Sequence, residues 1–297
     1  MTRQKTKQNN NGAWYVLAAA VLWGTTGTAQ AFAPAGAHPL MIGTMRMMIG
    51  TAVLLMVAVL RGKMKRPFTK QWPWKPTILA ATSVSAYQLL FFSGVLKSGV
   101  AIGTMVGIGS VPIAGGLIGH FMRHEKLSRV WYAATALTLS GVVLLALSGG
   151  NLRVNGVGLL LAVGAGTAYA FYASFSIDVL ISGGGRDSET AVALIFCTGS
   201  LMLVPVLFLY DLTWLAEPRG IVVAVHLGAI TLAAAYSLFT RGLRHVSLSS
   251  AMTLTLAEPL TAGLLAVTLL GEELTITALV GIGLLFTGLT LLAMKRD

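Results

Sequence analysis

Charged side chains are scarce in this 297-residue chain: 10% of residues, of which only 10 are Asp or Glu. A soluble domain carries roughly a quarter. Too little polar material remains to coat a water-facing surface, which excludes an ordinary soluble globular protein. With 55% hydrophobic residues and a mean hydropathy of +0.78, most of the exterior must face lipid. Cysteine is nearly absent too. Cys197 stands alone inside an apolar run, so no intrachain disulfide can form, and it reads as a small buried hydrophobe. Neither H-E-x-x-H nor G-x-x-x-x-G-K-[ST] occurs, and intramembrane Ser, His and acidic residues are not gathered at a catalytic spacing. An integral-membrane enzyme therefore lacks its constellation, and ATP hydrolysis lacks its phosphate loop. No metal site and no cofactor are implied.

What is present is a succession of apolar stretches of about 20 residues, enough to cross a hydrocarbon core of about 30 Å. Ten are expected, near 13–33, 39–61, 77–97, 99–122, 129–148, 156–181, 189–210, 220–242, 247–270 and 275–294. Lipid cannot satisfy backbone hydrogen bonds, so continuous apolar runs must be helices. The expected fold is all-α and integral to the membrane. Arg3, Lys5 and Lys7 before the first run, with Ala29-Gln30-Ala31 behind it, resemble a cleavable signal. Its removal would leave an odd number of spans and spoil the symmetry described next.

At an offset of 147 the chain matches itself. Phe92 falls on Phe239, Met105 on Met252, Pro112 on Pro259, Glu125-x-Leu127 on Glu272-x-Leu274, and Ser140-Gly141 on Thr287-Gly288. Residues 1–12 read as a polar cytoplasmic tail, 13–150 as the first five-helix repeat and 151–297 as the second. The basic residues fix orientation. Of 21 Lys and Arg, all but Lys97, Arg153, Arg219 and the intramembrane Arg46 fall on one side, which makes both termini cytoplasmic. That net excess of +11 lies in short loops and signals membrane orientation, not nucleic acid. Five spans is an odd number, so the second repeat enters inverted, as in transporters whose halves enclose a central cavity. The 61–76 loop, with Trp72 and Trp74, reads as an interfacial anchor.

Candidate functional residues are those that an apolar span does not need. Glu258-Pro259 sits about eleven residues into the ninth span, near the midplane at about 1.5 Å per residue. An intramembrane carboxylate is expensive. It could bind a proton or a substrate ammonium, or it could bond backbone groups freed by Pro259. Arg46 could attract a carboxylate, pair with Glu258 or snorkel outward. Trp23-Gly24-Thr25-Thr26-Gly27-Thr28 mixes glycines and hydroxyls, as where a span lines a cavity. Ser85, Gln88 and Phe92 share a face, with Tyr87 and Phe91 beside it; Tyr169, Tyr172 and Ser176 share another, as do Tyr236, Phe239 and Thr240. Such aromatics and polar groups could form an amphipathic pocket, or they could be ordinary interhelical packing. Gly99, Gly103, Gly107, Gly115 and Gly119 make a small-residue stripe for close helix approach, and Pro112 and Pro259 are natural hinges. His226 is a candidate without an evident partner.

Trp23-Gly24, Arg46, Glu258-Pro259, Glu125-x-Leu127 and Gly271-Glu272-x-Leu274, in this order, resemble the ten-helix EamA-like branch of the drug/metabolite transporter superfamily. Met1-Thr2-Arg3-Gln4-Lys5 and Ser85-x-Tyr87-Gln88 are similar to the YddG-type exporters of aromatic and other neutral amino acids. That resemblance implies export through a ten-helix basket around a central cavity. The sequence departs from the type at Gly166-Thr167-Ala168-Tyr169, where a tryptophan is usual, and at Gly107-Ile108-Gly109. The expectation is a secondary transporter of amino acids working by alternating access. Trp23, Tyr87, Gln88, Phe92, Tyr169, Tyr236 and Phe239 would bind substrate, and Glu258 and Arg46 would supply charge. Its partners would be the solute and the lipid bilayer, with one duplicated chain sufficient as a monomer. Exporters of drugs or other metabolites, and a passive channel, are the rival readings.

Overall fold

A computed structural model describes residues 11–63, 72–98, 100–147, 155–182, 187–270 and 275–294. The polar tail up to residue 10, Gly99, residues 183–186 and the Gly271-Glu272-x-Leu274 motif lie outside these. Among the described residues the secondary structure is helical throughout. Helices α1 (Asn11–Ala31), α2 (Pro39–Leu60), α3 (Trp74–Ser98), α4 (Val100–Arg123) and α5 (Arg129–Leu147) form the first half. In the second half, α6 (Gly156–Ile181) and α7 (Ser188–Leu203) lead into a 3-10 turn at Val204–Phe208. A rod then runs through α8 (Pro218–Val225), a π-helical stretch (His226–Ala234) and α9 (Ala235–Gly242). Finally come α10 (Leu248–Leu254), α11 (Ala257–Leu270) and α12 (Ile276–Ala293).

The boundaries follow local chemistry. Pro39 and Pro218 occupy first-turn positions, where a missing N–H goes unnoticed. Asn155, Asp187 and Ser247 each accept a hydrogen bond from the backbone N–H three residues on, capping α6, α7 and α10. Among the described residues five helical segments are long and apolar enough to cross a bilayer: Pro39–Leu60, Trp74–Ser98, Gly156–Ile181, Ser188–Phe208 and Pro218–Gly242. Large apolar side chains such as Trp14, Leu60, Phe121, Leu160 and Phe208 lie exposed around the outside, as a lipid-facing surface requires.

Two expected spans depart from regular α-helix. The eighth stays continuous but passes through nine π-helical residues, and the ninth is broken at Thr255–Leu256, between α10 and α11. Pro259 causes the break: its ring clashes with the carbonyl four residues back, which is that of Thr255, and it has no N–H to offer. Thr255 O is taken instead by the N–H of Glu258 at 2.9 Å. Pro112, its counterpart at the 147 offset, sits inside an unbroken α4.

The two halves interlock. α3 and α4 pack on α6, α1 packs on α9 and α11, α2 on α7, and α5 on α12. At the α5–α12 contact a Cβ on Gly141 would stand 2.6 Å from Gly281 O and 2.8 Å from Leu285 Cγ, and one on Gly288 2.8 Å from both Ala134 O and Thr138 Cγ2. The glycine stripe on α4 also serves packing: Gly103 meets Val95, and Gly115 leaves room for Met252. Trp72 departs from the anchor expected of it. It is buried at 5% exposure and donates to Thr77 Oγ1 at 3.0 Å, while Trp74 keeps an exposed surface. A buried indole N–H usually finds such a partner.

Candidate functional site

Seven helices converge on an internal cavity, α4 contributing Ile108 and Val111 to its wall. Trp23 comes from α1, Arg46 from α2, Tyr87 from α3, Tyr169 from α6, Tyr236 from α9 and Glu258 from α11, and all six line it. Thr26, Phe91, Ile108, Val111 and Thr255 complete the wall. The cavity they enclose is small, about 40 Å³. The conformation is closed around its polar groups.

The aromatic wall is a connected set. Trp23 meets Tyr236 edge-on at 4.9 Å between centroids and Tyr169 at 5.9 Å, and Tyr169 meets Tyr87 at 5.3 Å. Phe239 lies behind this layer, fully buried, 5.3 Å from Trp23 and 5.8 Å from Tyr169. Aromatic pairs in offset or edge-to-face arrangements contribute about 0.5–1.5 kcal/mol each beyond area burial. Gln88 and Phe92 are not part of it. Gln88 donates to Gly43 O at 3.1 Å, and the Phe92 ring fills the place of a Gly43 side chain, so both fasten α3 to α2.

Arg46 is 6% exposed and therefore does not snorkel. Its Nη2 donates to Thr231 O at 3.1 Å, within the π-helical stretch of the eighth span. Such i→i+5 stretches are rare and frequently accompany functional sites. Among the described residues no ion pair joins Arg46 to Glu258, although both face the cavity. A guanidinium and a carboxyl thus stand in one enclosure without direct contact. Arg46 Nε, Trp23 Nε1, Thr26 Oγ1 and the Tyr169 hydroxyl are buried and, among the described residues, unpartnered. Each unmade hydrogen bond of this kind costs about 1–3 kcal/mol, and four gathered at one cavity define a polar docking surface.

Thr255 escaped the sequence reading, although its place four residues before Pro259 could have revealed it. Val111 enters the wall at the position that matches Glu258 across the repeat. Of the hinge candidates, Pro259 stands beside the break and Pro112 one residue past Val111. His226 finds a partner: its Nε2 lies 2.9 Å from Thr25 Oγ1. That pair borders a second, largely apolar cleft of about 590 Å³ between α1, α8 and α11, with Arg219 at its rim.

Apolar helices, an interlocked pair of halves and a buried polar cavity describe a multi-pass membrane transporter. The chain belongs to the EamA-like transporter family, whose sequence pattern it matches twice, over residues 10–147 and 156–294. It is 38% identical over 279 residues to the uncharacterized transporter YwfM of Bacillus subtilis (strain 168), covering 94% of this chain and 92% of that protein. A crystal structure described only as that of a protein shares the fold, with a TM-score of 0.81 at 20% identity over 94% of this chain and 95% of that one. Membership in a transporter family speaks for transport over catalysis.

Proposed function

We propose that the protein is a secondary exporter of amino acids, aromatic and other neutral ones above all, resembling the YddG type. It resides in the cytoplasmic membrane with ten spans and both termini inside. Its halves, 13–150 and 151–297, are inverted five-helix repeats that alternate access to the cavity between them, and a single chain suffices.

The observation that carries this reading is the presence of Arg46 and Glu258, not in direct contact, in one aromatic enclosure. A zwitterion matches it: a carboxylate on the guanidinium and the Trp23 N–H, an ammonium toward Glu258, an apolar side chain among the rings. Burying two charges is favourable only when both are paired and hydrogen-bonded, so a solute with one charge leaves the other wall unsatisfied. The packing supports halves related by a two-fold exchange, and their odd number of spans makes that relation an inversion. Contacts come in exchanged pairs: the third helix of each half rests on the first helix of the other, and α5 meets α12. The glycine contacts exchange likewise, because Gly141 meets 281 and 285 while Gly288 meets 134 and 138, each pair related by the 147 offset. A broken helix at the cavity is the usual arrangement of such repeats.

Purified protein in proteoliposomes, tested with labelled phenylalanine, leucine and a panel of lipophilic cations, discriminates the readings. Saturable amino-acid flux supports this proposal. Flux of the cations alone makes the protein a drug exporter and ends the amino-acid reading.

A further inference from the structure

Far from the cavity, the turn between α4 and α5 reaches across to the other half. Glu125 Oε1 accepts the N–H of Leu248 at 2.7 Å, and Oε2 accepts the N–H of Ser249 at 3.0 Å. These are the first two helical residues of α10, so one carboxylate straddles two N–H groups with no intrahelical partner. The turn is shaped for the purpose. His124 adopts φ 55, the left-handed region that a non-glycine residue seldom occupies. The Glu125 N–H returns to Gly119 O at 2.9 Å, and His120 Nδ1 lies 3.1 Å from Glu125 O. Gly119 makes the room, since a Cβ there would stand 2.5 Å from Glu125 Oε2.

Two further bonds bind the same short helix to α5. Trp131 Nε1 donates to Ser249 O at 3.1 Å, and Thr135 Oγ1 lies 3.0 Å from Thr253 Oγ1. α10 ends at the Thr255–Leu256 break, immediately before Glu258, so whatever holds α10 also positions one wall of the cavity. A cleft of about 330 Å³, bordered by Arg123, Lys126, Ser247 and Ser250, opens onto the clasp from the surface.

We infer that Glu125 is the clasp of the cytoplasmic gate: it holds the first half's α4–α5 turn on α10 of the second half, closes the inner path in this conformation, and releases when that path opens. The assignment rests on the alternating-access reading and on the orientation given above. Charge-assisted hydrogen bonds are roughly twice as strong as neutral ones, and a carboxylate at a helix N-terminus gains further from the peptide dipoles. Glu125 touches no solute. It is a positioning residue, and its loss shifts the balance of conformations.

The test uses the single-cysteine character of the chain. Cys197→Ala removes the only thiol, and Val111→Cys places a reporter in the cavity wall. A membrane-impermeant cationic methanethiosulfonate is applied to sealed vesicles of each orientation. In Glu125→Ala the labelling rate from the cytoplasmic face should rise about ten-fold over the parent, equivalent to about 1.4 kcal/mol, while the external rate falls. Glu125→Gln, which keeps one acceptor and the side-chain volume, should lie between and decides the matter if the alanine variant folds poorly. Cytoplasmic rates within about two-fold of the parent for the variants that fold, a shift of less than about 0.5 kcal/mol, would overturn the clasp. A parent labelled from neither face refutes the alternating cavity itself, and any gating role with it.

Discussion

Arg46→Met removes the guanidinium while keeping much of the apolar stem, and its consequences can be worked through from the contacts. The side chain is buried, with one N–H on Thr231 O at 3.1 Å and Nε free toward the cavity. Truncating one partner of a buried, hydrogen-bonded charge pair costs about 2–5 kcal/mol. At about 1.4 kcal/mol per ten-fold, affinity for a substrate carboxylate should fall by about thirty-fold or more. Losing the donor to Thr231 O adds about 1–3 kcal/mol to the folded state's cost, so thermal melting in detergent must accompany the flux. Arg46→Lys keeps the charge but cannot hold Thr231 O and present a second planar edge together, and should fall between. The assay is initial-rate uptake into proteoliposomes of labelled phenylalanine against phenylalaninamide, which lacks the carboxylate. The free acid should lose far more than the amide. Equal losses for both, or a KM for phenylalanine within about two-fold of wild type, would refute the assignment.

Three other outcomes follow from the same geometry. Glu258→Gln fixes a neutral side chain at the broken helix, so a pH dependence of transport carried by this group should flatten; an unchanged profile at full rate removes it from coupling. Trp23→Phe keeps an aromatic ring among Tyr169 and Tyr236 but deletes the unpartnered N–H; it should weaken substrate binding by about three- to ten-fold, the value of a neutral hydrogen bond, and lower the melting temperature, because the smaller ring leaves a buried gap. Gly141→Val or Gly288→Val forces side chains into the opposite half's helix at under 3 Å and should destabilise by about 1–3 kcal/mol, whereas Gly27→Ala and Gly283→Ala, with nothing within 4 Å, should melt like wild type.

Much of the site could be read in the sequence because an apolar span has no use for a Trp-Gly-Thr-Thr run, an arginine or a Glu-Pro. Trp23, Arg46, Tyr87, Tyr169, Tyr236 and Glu258 stood out for that reason, and the structure gathers them at one cavity. Gln88 and Phe92 were equally conspicuous but face α2. Helical period tells which side chains share a face, not what that face meets, and only the packing of α3 decides that Tyr87 and Phe91 point inward. The halves were legible from their repeat, which survives in Pro, Gly and Glu positions that backbone geometry constrains. The π-helical stretch of the eighth span was not, because His226–Ala234 carries no proline or cap and its register depends on the neighbours Gly50 and Ile49 packed against Gly228. Trp72 was illegible for a related reason: a basic loop with indoles points to the headgroup region, but composition does not tell which indole packs inward, as Trp72 does beside Thr77.

Counter-flow measures the central claim most directly. Proteoliposomes preloaded with unlabelled phenylalanine should take up external labelled phenylalanine faster than empty ones, saturably, because a cavity that opens to one face at a time returns outward loaded. Uptake that rises linearly with concentration and ignores the internal load would contradict a carrier with alternating access and leave a passive pore in its place.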